Sequence, residues 1–285
     1  MQGIQRLSYH SSSIIHDFTQ SLQNTGFVVL SEAPVDHTLI EEVYDLWGKF
    51  FLSDERFQYA FDTNTSDGYA STALSETAKG YHTKDIKAFY HLLRNGRCPK
   101  STKVASMRLF SQLEPVAKQA LSWIESGLPE KIRQGLSEPL TQMVQDSPNT
   151  KLRLIYYPPL TGNEPEGAVR AAQHADINLI TLLPSATAGG LQVMRADGQW
   201  IDVICQPGDI IINAGDMLQM CTNANIRSTL HRVINPSEDE NTARMSMPFF
   251  VHPRDNVRLS DAYTALDYRV ERITENGLAP KEKVL

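Results

Sequence analysis

Hydrophobic periodicity divides the chain near residue 150. Before it, apolar positions recur mostly at helical spacing. Residues 4–9 alternate and suggest a short strand, and 13–22 carry apolar residues on one helical face, with serines available to cap the start. Gly26 is placed to close that helix, and residues 27–30 are a continuous apolar run that fits a strand. Asp36 is the N-cap of a second helix, whose apolar face is Leu39, Ile40, Val43, Leu46, Trp47 and Phe50. Residues 60–84 are polar and rich in Gly, Ser and Thr without a period, which reads as a long loop of the kind that often forms a lid. Order resumes over 85–93. A long amphipathic helix is expected over 102–126 and another over 129–145, with a boundary at Pro148 and Asn149.

Beyond that boundary, short strand-like runs replace helices. They cover 151–157, 169–176, 177–183, 190–195, 200–205, 209–213, 217–221, 229–235 and 244–251, with Gly, Asn, Asp and Pro in the turns between them. Such spacing suggests a β-sandwich or jelly roll. A helix is expected over 263–276, followed by a frayed tail. The fold class is therefore α+β: a jelly-roll core with a helical N-terminal half packed on it. No linker separates the parts, so a single domain over 1–285 is expected. Its regions are 1–150 (mainly helical), 151–254 (the β core) and 255–285 (C-terminal helix and tail).

Composition narrows the function classes. The 285 residues carry 21% charged side chains and a net charge of −6 without blocks of like charge. Neither a nucleic-acid footprint nor a polybasic membrane patch is suggested. No apolar run approaches a membrane span, and the first residues lack the apolar core of a signal peptide. Cys98, Cys205 and Cys221 are widely spaced, with no CxxC, so a reducing cytoplasmic setting is the default and small half-buried apolar roles the simplest reading.

Candidate chemistry centres on His174-Ala175-Asp176, the only His-x-Asp in the chain. If the stretch is extended, residues i and i+2 share a face, so an imidazole and a carboxylate converge. They would be two of the three ligands of a 2-His-1-carboxylate triad, which holds one face of a non-haem Fe(II) and leaves the other open. His231 lies in a strand-like run and can supply the third; His252, beside Pro253, reads as a surface or packing residue. Arg244 and Ser246 repeat the i, i+2 spacing. A guanidinium and a hydroxyl on one face make a carboxylate receptor, to which Tyr156 or Tyr157 could add a donor. Only a polar turn separates this strand from that of His231, so the two are expected to be neighbours. Arg244 has an alternative partner in Asp239 or Glu240, and Arg153 and Arg170 could meet an acidic substrate or simply be exposed arginines. Residues 77–82 could be a pocket lid or a solvated loop.

The stretches LRLIYYPP, QHADINLITLL, GGLQVMRADGQWIDV, QPGDIIINAGDMLQMCTN, STLHRVINP and RMSMPFF, in that order, resemble the isopenicillin N synthase-like branch of the Fe(II)/2-oxoglutarate-dependent dioxygenases. TGFVVL and WGKFFLS extend the resemblance into the N-terminal half. It implies a double-stranded β-helix core, with His174, Asp176 and His231 as the iron ligands that carry catalysis. It implies Arg244 and Ser246 as anchors for the far carboxylate of 2-oxoglutarate, with Tyr157 as a further contact, and Phe250 as a pocket residue. O2 is the implied co-reactant, succinate and CO2 the co-products, and a small molecule the primary substrate. Two departures stand out: Ile155 occupies a position where many relatives have Asn, and the opening PVIDLS-like segment is reduced to IQRLSY. Two other readings stay open: an iron oxidase of the same fold that uses no 2-oxoglutarate, and a jelly-roll metal- or ligand-binding protein without turnover.

Overall fold

The computed structural model describes residues 3–72 and 83–275. The 77–82 segment and Asn276 lie outside the described residues. The N-terminal half runs β1 (Arg6–Ser8), α1 (Ile14–Thr25), β2 (Phe27–Ser31), α2 (His37–Leu52), β3 (Gly68–Ala70), β4 (Ala88–Leu93), α3 (Lys100–Gly127), α4 (Glu130–Gln134) and α5 (Leu140–Met143). The second half runs β5 (Lys151–Tyr157), β6 (Ala171–His174), β7 (Ile180–Pro184), β8 (Leu191–Met194), β9 (Trp200–Asp202), β10 (Ile210–Ala214), α6 (Asp216–Cys221), β11 (His231–Val233), β12 (Arg244–Ser246), β13 (Phe249–Val251) and α7 (Ala265–Glu275).

Two sheets build the core. The larger has the order β1-β2-β10-β7-β13-β5-β4-β3, with β12 pairing the far end of β5; the smaller is β6-β11-β8-β9. One face of the large sheet packs on α1, α2 and α3 through a core that includes Phe18, Trp47, Phe110 and Phe249. Its other face meets the small sheet through a second cluster, in which Phe27, Phe89, Ile155 and Tyr157 oppose Ala171, Leu191, Val193 and Val233. The long apolar runs of β2 and β10 follow from this, because strands covered on both faces need no polar alternation. The result is the jelly roll expected from the strand pattern. Among the described residues, no helix is long and apolar enough to cross a membrane.

Local chemistry fixes the element ends. Asp36 accepts from the backbone N–H groups of Thr38 and Leu39 and starts α2. Gly26 ends α1 in the left-handed region (φ 73°), and a Cβ there would come 2.4 Å from Thr229 Oγ1. Elsewhere the structure departs from the sequence reading. The helix expected over 129–145 is two short pieces, since Gly135 closes the first and Pro139 disfavours helical backbone at the residue before it. The polar 60–84 loop includes strand β3, whose register pairs Gly68 with His91. Residues 217–221 form helix α6 rather than a strand. The run over 244–251 divides into β12 and β13 at Met247-Pro248, where Pro248 has no N–H to donate and its carbonyl accepts from Arg153 N at 2.9 Å. The strand expected over 169–176 ends at His174, and β11 and β12 lie in different sheets rather than side by side.

Candidate active site

Antiparallel pairing of β6 and β11 makes His174 and His231 direct partners across the small sheet, with ring centroids 4.4 Å apart. Asp176 lies beyond the end of β6, so strand alternation does not place it. A strap from the next layer does: Gly215 N donates to Leu179 O (2.9 Å), Asp216 N to Asp176 O (2.7 Å) and Met217 N to Asn178 O (3.1 Å). Backbones approach so closely that a Cβ on Gly215 would sit 2.2 Å from Asn178 O. Asp176 Oδ1 then lies 4.0 Å from His174 Nε2 and 3.7 Å from His231 Nε2, and all three candidate donors fall within 4.8 Å of one another.

Each donor is oriented from behind. A carbonyl can only accept, so the contacts of His174 Nδ1 with Ala172 O (2.8 Å) and of His231 Nδ1 with Thr229 O (3.2 Å) put the proton on Nδ1 in both rings. Both Nε2 lone pairs are left for a metal. Asp176 Oδ2 accepts from Thr181 Oγ1 (2.6 Å) and Asn213 Nδ2 (2.8 Å), which leaves Oδ1 for coordination. Thr181 and Asn213 face each other across β7 and β10, and Asn178 Nδ2 donates to Thr181 Oγ1. Burial and the neighbouring His231 pull the His174 pKa down to about 4. Burial pushes Asp176 up, yet the two imidazoles and the Asn213 and Thr181 hydrogen bonds outweigh it and hold the carboxyl low. Two imidazoles that present Nε2 and one carboxylate beside a cavity form a donor set that fits Fe(II) with open positions.

A second centre lies inside the jelly roll. Arg244 is opposite Tyr157 in the β12–β5 register, with its guanidinium carbon 5.0 Å from the Tyr157 ring centre. Ser246, two residues on, is also buried and lies opposite Ile155. Arg244 does not pair with Asp239 or Glu240; its Nε donates to the carbonyls of Ala188 and Gly189 (both 3.0 Å), and its buried Nη1 has no acceptor. Arg170 is buried as well, with Nη2 on Thr242 O (2.5 Å) and Nε unmatched. Burial, then the charge of Arg244, push the Arg170 pKa down. Among the described residues, neither arginine has an ion-pair partner. Unmatched buried guanidinium donors call for an anion, and a carboxylate fits.

The cavity beside the donors has a volume of about 400 Å3 and reaches Phe250, Arg153, Lys87 and His252. His252 is thus a buried cavity residue, with its pKa driven well down by burial and by the charges of Lys151, Arg269 and Arg153. The sequence reading passed over Asn178, Thr181, Asn213 and the buried Asp85–Lys87 ion pair (2.7 Å). Their common signal is a polar residue inside an apolar run, as in INLITLL and DIIINA.

Known proteins resemble this chain over most of its length. The family model for the 2OG-Fe(II) oxygenase superfamily matches residues 148–253. A crystal structure described as an oxygenase from Shewanella oneidensis is 41% identical, with 97% of this chain and 99% of that one aligned and a TM-score of 0.87. A 2OG-Fe(II) oxygenase family protein from Caulobacter crescentus is 31% identical over 96% of this chain and 99% of that one, with a TM-score of 0.76. Jasmonate-induced oxygenase 4 of Arabidopsis thaliana is 28% identical over 81% of this chain, which spans 66% of that relative's length. With whole-length likeness above 30% and a matched core that contains every donor described above, the chain belongs to the 2OG-Fe(II) oxygenase superfamily.

Proposed function

We propose that the chain is an Fe(II)- and 2-oxoglutarate-dependent oxygenase that hydroxylates or otherwise oxidises a small molecule, releasing succinate and CO2. One juxtaposition supports this reading above all: three oriented donors at a cavity wall, and a buried arginine with an unmatched donor within the same jelly roll. Bound there, iron and 2-oxoglutarate supply the O2 activation and oxidative decarboxylation that drive oxidation of a C–H bond. The protein's part is positional. His174, His231 and Asp176 Oδ1 would hold the metal, with protons kept on the two Nδ1 atoms and Oδ2 occupied by Thr181 and Asn213. Arg244 would take the far carboxylate of 2-oxoglutarate, with Ser246 and Tyr157 beside it and Arg170 adding positive charge. Phe250 would form part of the substrate wall. The reading includes a reducing, cytoplasmic setting, supported by three free cysteines.

Anaerobic titration of the Fe(II)-loaded protein with 2-oxoglutarate tests it. A weak visible charge-transfer band that saturates with 2-oxoglutarate, and is lost in Arg244→Ala, is the expected result. Bound iron without such a band would overturn the cosubstrate assignment. Arg244 would then hold a carboxylate of the substrate itself, in an oxidase of the same fold.

A further inference from the structure

We infer that Arg170 is a second hydrogen-bonding partner of the carboxylate that Arg244 anchors, so that two guanidinium groups grip the far end of 2-oxoglutarate. The inference rests on the oxygenase reading and gives Arg170 a direct contact where that reading asks only for its charge.

Arg170 stands immediately before β6, and both its backbone and its side chain are tied down. Its N–H donates to Asn235 Oδ1 (3.0 Å), and Asn235 Nδ2 donates to Ala168 O (2.9 Å). Its Nη2 reaches the carbonyl of Thr242 (2.5 Å), two residues before Arg244. The side chain therefore crosses from the edge of the small sheet to the segment that leads into β12 of the large one. Arg244 in turn lies opposite Tyr157, with its guanidinium carbon 5.0 Å from that ring centre. After burial, the charge of Arg244 is the next influence on Arg170, followed by the Tyr157 phenol. The three side chains thus share one buried neighbourhood.

The charges in that neighbourhood do not balance. Arg170 and Arg244 are each only 2% exposed, and a guanidinium stays protonated even there. Every acceptor they have is a neutral carbonyl: Thr242 O for Arg170, Ala188 O and Gly189 O for Arg244. Among the described residues no carboxylate pairs with either, while Arg170 Nε and Arg244 Nη1 have no acceptor. Two like charges buried in this way are costly unless an anion joins them. One unmatched donor on each suits a single bridging group better than two separate anions. A carboxylate has two oxygens and about four lone-pair sites. It can take Arg244 on one oxygen and Arg170 on the other, with lone pairs left for the hydroxyls of Ser246 and Tyr157.

The contact falls on the far carboxylate only, which makes it separable from the rest of the site. The test uses the full-length protein loaded with Fe(II), without O2. It is titrated with 2-oxoglutarate and, separately, with 2-oxopentanoate, which has a methyl group where 2-oxoglutarate has its far carboxylate. Binding is read from the visible charge-transfer band and from the thermal midpoint. Arg170→Gln should weaken 2-oxoglutarate about tenfold or more, and 2-oxopentanoate by less than about twofold. Arg170→Lys, which keeps the charge but not the fork, should fall between the wild type and Arg170→Gln. Both acids weakened alike would mean that Arg170 only holds the Thr242 segment, and neither weakened would mean that it is not in contact. A Lys variant no better than the Gln variant would show that the cation is not what the diacid reads. Each of these results overturns the inference. If Arg170→Gln does not fold, Arg170→Lys decides: it must weaken 2-oxoglutarate by about threefold or more and spare 2-oxopentanoate. Failure of the oxygenase reading is distinguishable, because it appears as a missing 2-oxoglutarate band in the wild type before any variant is made.

Discussion

At the scale of single residues, the site depends on what holds the far side of each donor. The Nδ1–H groups of His174 and His231 are tied to carbonyls two residues upstream, so neither ring can turn its Nε2 away without losing that hydrogen bond. Thr181 and Asn213 do the same for Asp176, and losing such partners typically weakens metal binding about 10–100-fold. Thr181→Val and Asn213→Ala are expected to weaken Fe(II) binding by that order in a chelator competition, with the fold intact by circular dichroism. Unchanged affinity would mean that the carboxylate orients itself. His174→Ala and Asp176→Ala should abolish 2-oxoglutarate-coupled succinate release, and normal turnover with normal iron content would remove them from the triad. Arg244→Ala removes charge-assisted hydrogen bonds worth about 1.5–3 kcal/mol each, so the KM for 2-oxoglutarate should rise at least tenfold. Steady-state kinetics decide this, and an unchanged KM would place the anchor elsewhere. As candidates, His174, Asp176, His231 and Arg244 were legible because order and residue type announce them, whereas Thr181 and Asn213 were not, since only the fold brings them to Asp176. Arg153 was not legible as more than a candidate, because its setting comes from Phe89 on β4, Phe250 on β13 and His91, which only the sheet order brings together.

At the scale of elements, the decisive feature is the strap that joins residues 215–217 to the Asp176 loop. It explains both a success and a failure of sequence reasoning. The His-x-Asp spacing pointed to two side chains that the structure does bring together, but by strand alternation; the structure instead ends β6 at His174 and curls the chain under the strap. Residues 217–221 read as a strand because a run this short has no period that separates strand from helix. The third dimension decides: the N–H groups of Gly215, Asp216 and Met217 are spent on carbonyls of the Asp176 loop, and α6 starts there. Likewise, the short turn after β11 suggested a hairpin with β12, yet β12 pairs with β5 in the other sheet. That crossing is what sets Arg244 against Tyr157. Gly215→Ala tests the strap. A methyl 2.2 Å from Asn178 O must push the two segments apart, a strain of about 1–3 kcal/mol by analogy with overpacked cores. Both the thermal midpoint and Fe(II) affinity should fall. A variant with wild-type values for both would show that the strap gives way freely and that Asp176 is placed by other contacts.

At the scale of the whole molecule, the sheet order argues that the jelly roll cannot stand without the N-terminal half. The chain crosses the residue-150 boundary within one sheet twice: β2 pairs with β10, and β4 pairs with β5 over six residues. The helices α1, α2 and α3 cover the other face of that sheet through the larger core. A fragment of residues 151–285 would expose two unpaired strand edges and the apolar face beneath the helices, a combination that favours aggregation. We therefore propose that the chain folds as one unit. Thermal unfolding of the full chain should show one transition, and the fragment should fail to fold alone. Ligand linkage sharpens the test. 2-Oxoglutarate at about 100 times its Kd, with Fe(II) bound, should add about 2.7 kcal/mol. At about 2–4 °C per kcal/mol for a chain of this size class, the midpoint should rise by several degrees. Because Arg244 on β12, the proposed anchor, lies opposite β5, which is paired to β4 of the N-terminal half, the whole transition must move. Two transitions, with only one shifted by 2-oxoglutarate, would show that the helical half and the jelly roll are separate units that merely share strands.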